Sequence, residues 1–115
     1  MPSSQLTPDD DAIDTEYLAR MTLGDRGLAR EVLGMFSTQA CALIGTLAAL
    51  PADAGALAHT LKGSARAIGA RRVADSAAAL ETAIINGDDP SQALTELQGS
   101  VAEARASIEA ILRRC

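Results

Sequence analysis

A chain of 115 residues makes one domain, large enough for a single core without disulfide or metal staples. Alanine and leucine dominate, Phe36 and Tyr17 are the only aromatic residues and tryptophan is absent; this favours a helical bundle with thin interfaces over a β-sandwich. A net charge of −5 argues against non-specific nucleic-acid binding, which needs a basic face, and no apolar run is long enough to span a membrane.

Met1 to Asp11 is polar, with prolines, serines and three aspartates, and lacks the cationic and apolar regions of a signal peptide. It reads as a flexible leader, drawn over residues 1–12, ahead of a domain over residues 13–115. Asp14 is a candidate N-cap for a short helix that runs to about Thr22, with Gly24 as the stop signal. Asp25 can cap a long second helix whose apolar positions Leu33, Phe36, Ala40, Leu43, Leu47 and Leu50 recur at steps of three and four, until Pro51 ends it. Asp53 is placed to start a third helix, which stops at Gly69. A fourth runs from about Arg71 to Asn86 on the stripe Val73, Ala77, Leu80 and Ile84. In the turn Gly87-Asp88-Asp89-Pro90, Asp89 is the expected cap and Pro90 the first helical residue of a fifth helix. That helix continues through Leu94, Leu97, Val101, Ile108 and Leu112 to about Arg113, where Arg113 and Arg114 complement the helix dipole. The expected fold is all-α: an up-down-up-down antiparallel four-helix bundle with a short N-terminal capping helix.

The third helix carries the only histidine, His59. At about 100° per residue, His59, Lys62, Gly63 and Arg66 share one arc, and Leu57, Leu61, Ser64 and Ile68 lie opposite as a packing stripe. The imidazole is therefore expected to face water, with Lys62 one turn away, Arg66 two turns away and a bare glycine beside it. Such a group suits chemistry with an anion carried by another macromolecule. A histidine is largely neutral at cytosolic pH and can act as a nitrogen nucleophile. A transferring phosphoryl group spreads negative charge over its oxygens, which Lys62 can meet. Arg66 is either a longer-range contributor or a solvated charge. Gln39, on the flank of the second helix's stripe, is either a contact to the imidazole or phosphoryl oxygens or an ordinary boundary residue. Gly69 reads as a C-cap. One histidine without clustered acids or cysteines offers no metal site, and Ser64, placed on the core stripe, cannot form a nucleophilic triad with His59. Cys41 and Cys115 are too few for a disulfide framework; a structural cysteine and an incidental terminal one fit the reduced cytosol.

The stretch Ala58-His59-Thr60-Leu61-Lys62-Gly63-Ser64-Ala65-Arg66-Ala67-Ile68-Gly69 resembles the signature of histidine phosphotransfer (HPt) domains of multistep phosphorelays. The resemblance extends forward to Val73, Ala74, Leu80 and Glu81 and back to Gly24-Asp25 and Phe36, and so covers nearly the whole chain after the leader. It implies a cytoplasmic phosphocarrier without kinase activity that accepts a phosphoryl group on His59 from a receiver-domain aspartyl phosphate and passes it to another response regulator. Lys62 and Gly63 belong to the implied site, with Arg66 and Gln39 as further phosphate or partner contacts. The implied partners are receiver domains of response regulators or hybrid histidine kinases, with no nucleic acid, no membrane and a monomeric state. No cofactor is expected on this chain; Mg2+ would sit in the receiver's acidic pocket. A helical adaptor, or a phosphatase acting on receivers without carrying phosphate, is the alternative. A leader starting at Met1 is expected of a free-standing protein rather than a piece of a hybrid kinase. Neither the pathway nor the direction of phosphoryl flow follows from the residues.

Overall fold

The computed structural model describes residues 12–114, which form five helices and no strands: α1 (Thr15–Met21), α2 (Arg26–Leu47), α3 (Ala54–Ile68), α4 (Arg71–Asn86) and α5 (Ser91–Arg113). The leader expected over residues 1–12 lies outside the described residues apart from Ala12, which is buried.

Two of the expected caps form. Asp14 accepts the Tyr17 N–H at 3.0 Å, and Asp25 accepts the Leu28 N–H at 3.0 Å, each satisfying a donor that the first helical turn leaves without an internal partner. Two other boundaries differ from expectation. Asp53 holds the N-cap position of α3 without a side-chain hydrogen bond, because its backbone (φ −95°, ψ 21°) has left the extended conformation of a capping residue. α5 begins one residue late: Pro90 is the cap position, and Asp89 accepts both the N–H (3.0 Å) and the hydroxyl (2.7 Å) of Ser91. These bonds hold the Asp89 carboxyl below the usual aspartate range.

α2 also stops short of Pro51. It ends at Leu47, and Leu50 adopts a left-handed conformation (φ 47°) with its N–H on Leu47 O at 2.8 Å. A residue before proline is barred from the helical region by the ring, so the chain turns there. Leu50 consequently leaves the apolar stripe and is partly exposed at the turn.

α3 packs against α2 and α4, α4 packs against α5, and α5 returns to α2, which closes a ring of neighbours; α1 lies on α3 and α2. The core is filled by Leu33, Phe36, Ala40 and Leu47 from α2, Leu61 and Ile68 from α3, Val73 and Leu80 from α4, and Leu94, Leu97, Val101 and Ile108 from α5. Each such leucine or isoleucine contributes about 1.5–3 kcal/mol by leaving water. Among the described residues no buried side-chain polar atom lacks a partner, and no helix is long and apolar enough to cross a membrane.

The phase of α3 sets the geometry of the site. Its buried residues are Ala54, Ala58, Leu61, Ala65 and Ile68, while Leu57 and Ser64, expected on the core stripe, are only half-buried. The inner face is rotated by roughly 50° from the expected stripe, given 100° per residue. Ala58 and Ala65 lie on that inner face, where small side chains permit close packing, and α3 and α4 share the most extensive helix–helix contact among the described residues. This rotation moves Lys62 from the open face to the edge of the α3–α4 interface. His59 and Gly63 remain outside.

Candidate functional site

His59 projects from the middle of α3 with its side chain 66% exposed. Its Nδ1 lies 2.9 Å from Oε2 of Glu81 on α4, and the other carboxylate oxygen, Oε1, accepts from Lys62 Nζ at 2.7 Å. Lys62 and Glu81 are 18% and 17% exposed, so one mostly covered carboxylate bridges the imidazole and the ammonium. The hydrogen bond from Lys62 is the largest influence on Glu81; together with His59 it outweighs the opposing effect of burial and holds the carboxyl below the usual glutamate range.

The contact with Glu81 sets which tautomer of a neutral imidazole fits here. An ionised carboxylate can only accept, so the His59 nitrogen facing Glu81 must carry the hydrogen, and Nδ1–H is the donor. The neutral ring then keeps its lone pair on Nε2. A nucleophilic nitrogen is thus available on an exposed ring whose orientation is held from behind.

Lys62, expected to offer charge to a phosphoryl group, is paired with Glu81. The rotation of α3 explains this, because a lysine at an interface edge finds a carboxylate on the neighbouring helix. Arg66 is exposed and makes no ion pair among the described residues, which leaves it as the uncompensated cation of this flank. A Cβ built on Gly63 meets nothing within 4 Å, so no internal packing requires a glycine there. Gly34, Gly45 and Gly99 are equally open, and what distinguishes Gly63 is its place one turn after His59.

Gln39 makes no hydrogen bond to His59; it is exposed and borders a groove of about 400 Å3 between α2 and α3, with Met35, Ser64 and Ala67. Gly69 is the expected C-cap (φ 83°), and it is also a close contact inside the domain. A Cβ there would lie 3.0 Å from Asp14 O, and the Gly69 carbonyl accepts the Asp14 N–H at 2.9 Å, which ties α1 to the end of α3. Cys41, expected as a structural cysteine, is exposed on α2. Among the described residues no three His, Cys, Asp or Glu side chains are grouped to hold a metal ion.

Glu81 is the residue of the candidate site that helix-wheel reasoning on α3 does not find. Its signal was present: His59 and Glu81 are nearly equidistant from the Gly69-Ala70 turn, so an antiparallel α3–α4 pair sets them side by side.

Residues 31–113 match the Hpt domain family model, a span that starts within α2 and takes in all of α3, α4 and α5. No curated protein sequence matches the chain significantly. The matched span takes in His59, Lys62, Gly63 and Glu81 and covers most of the chain. The protein belongs to the Hpt domain family, whose members are phosphocarriers of two-component phosphorelays rather than kinases.

Proposed function

We propose that the protein accepts a phosphoryl group on His59 Nε2 from an aspartyl phosphate of one receiver domain and passes it to an aspartate of another. The observation that carries this reading is the His59–Glu81 hydrogen bond on an exposed ring, which leaves Nε2 as an outward nucleophile.

The Nε2 lone pair attacks phosphorus, the N–P bond forms, and the P–O bond to the donor carboxyl breaks with its electrons leaving on the carboxylate. The Nδ1 hydrogen stays in place throughout. The ring gains positive charge as the N–P bond forms, and the Glu81 carboxylate lies where that charge develops. Return of the phosphoryl group to a second aspartate reverses the same steps, again with no proton to relocate. The chain's role is positioning and electrostatic support, which are the main contributions a protein makes to phosphoryl transfer.

Arg66 supplies uncompensated charge to the approaching group, and Gln39 contacts the partner rather than the imidazole. Gly63 leaves the helix bare where the receiver's loops must close on His59. Mg2+ belongs to the receiver's acidic pocket in this scheme, and the protein acts as a cytoplasmic monomer. The short α2–α3, α3–α4 and α4–α5 connections and the closed ring of neighbours support an up-down-up-down antiparallel bundle as the scaffold.

Incubation with a receiver phosphorylated on its aspartate tests the reading. Label moving to His59 is the expected result. Release of inorganic phosphate with no labelled bundle would make the protein a receiver phosphatase, and binding with neither would make it an adaptor.

A further inference from the structure

Between α1, the start of α2 and the end of α5 lies a cleft of about 410 Å3. Ala19, Ala29 and Ile111 supply its accessible apolar lining, and Arg26, Arg30 and Arg114 line it with them. None of the three arginines makes an ion pair among the described residues, although the chain as a whole carries −5. Arg30 is half-buried, and its Nη1 donates to the Leu112 carbonyl at 2.9 Å. That bond restrains the guanidinium and leaves four N–H donors for another acceptor. The α1 and α2 residues of the cleft up to Arg30 precede the span shared with the Hpt family, so most of the cleft is built from sequence outside it.

We propose that this cleft is a binding site for a small organic anion: a phosphate or carboxylate group attached to a compact apolar body. Charge complementarity selects the anion, because three arginines that make no ion pair among the described residues line one opening. The apolar lining selects a ligand with a hydrophobic part, since covering the surface that Ala19, Ala29 and Ile111 leave open to water adds affinity that a bare anion lacks. Volume decides between a small molecule and a macromolecule. About 410 Å3 falls in the range of small-molecule pockets, roughly 300–1,000 Å3, and is too little for a docking helix.

Phenyl phosphate and inorganic phosphate, titrated into the full-length protein with amide 15N–1H shifts as readout, test the proposal. Saturable shifts are expected at Leu18, Arg30, Leu33 and Ile111, with His59 and Lys62 little changed. Phenyl phosphate should bind roughly tenfold more tightly than inorganic phosphate, the difference being the apolar contact. Arg30→Ala should abolish the preference but also removes a hydrogen bond to α5. Arg26→Gln and Arg114→Gln alter exposed side chains and should each weaken phenyl phosphate severalfold with an unchanged melting midpoint. Equal affinities for the two phosphates, or no effect of either exposed-arginine variant, would overturn the proposal. So would shifts centred on His59. Benzyl alcohol binding as tightly as phenyl phosphate would also exclude an anion site, and shifts with an acidic peptide but not with phenyl phosphate would assign the cleft to a protein partner.

Discussion

Replacement of Gly63 by alanine should move stability and function in opposite directions. Glycine in a helix interior is less favourable than alanine by up to about 1 kcal/mol, and the added methyl meets nothing within 4 Å, so no clash offsets that gain. For a domain of this size, about 1 kcal/mol corresponds to a rise of roughly 4 °C in Tm. The same methyl stands one turn from His59, on the face a receiver must approach. If it holds the reacting atoms apart by on the order of an ångström, transfer slows by up to about 100-fold. Gly63→Gln should slow it further while the domain stays folded. Circular dichroism melts of the Gly63, Ala and Gln forms, paired with transfer rates from one phosphorylated receiver, give both quantities. A lower Tm for Gly63→Ala would mean that the glycine serves internal packing, and equal transfer rates for all three forms would remove Gly63 from the site.

Three further perturbations probe the same account. Leu61 is fully buried, and Leu61→Ala should lower the unfolding free energy by about 2–5 kcal/mol; a neutral result would show that the phase of α3 is wrong. His59→Gln should abolish acid-labile phosphorylation but change stability by less than about 0.5 kcal/mol, since the side chain is largely in water; persistent labelling would move the acceptor elsewhere. Glu81→Gln should release the ring, seen in 15N imidazole shifts as loss of the single neutral tautomer, and slow transfer without abolishing it; an unchanged tautomer would show that Glu81 does not set it. Glu81 also makes stability depend on acid. Its folded pKa lies below the ordinary value of 4.5, so the folded state binds fewer protons there. The stabilisation is present above 4.5 and is lost as pH falls through the lower folded value. Glu81→Gln should therefore flatten the acid limb of a stability–pH curve, and an identical acid limb would count against the pairing.

The sequence reveals the helices more readily than the pairing between them. Asp14 and Asp25 act as caps because a short acceptor ahead of a periodic apolar run is a local signal, satisfied within three residues. Leu50 and Asp89 misled for local reasons too: the residue before Pro51 cannot stay helical, and Asp89 bonds to Ser91 rather than opening the helix with Pro90. The exposure of His59 could be read from spacing alone. The engagement of Lys62 could not, because it depends on how α3 is rotated against α4, which brings Glu81 within 2.7 Å. Glu81 has no signature in the periodicity of either helix; apart from the family resemblance, only its spacing from the Gly69-Ala70 turn points to it.

In the proposed transfer His59 carries the phosphoryl group on Nε2, with Nδ1–H held by Glu81. Long-range 1H–15N correlation of the imidazole, recorded after transfer from a phosphorylated receiver, tests it most directly. Phosphorus coupling at Nε2 with a hydrogen retained on Nδ1 is the expected result. Phosphorus on Nδ1, or an unmodified ring alongside phosphate held at another residue, would contradict it.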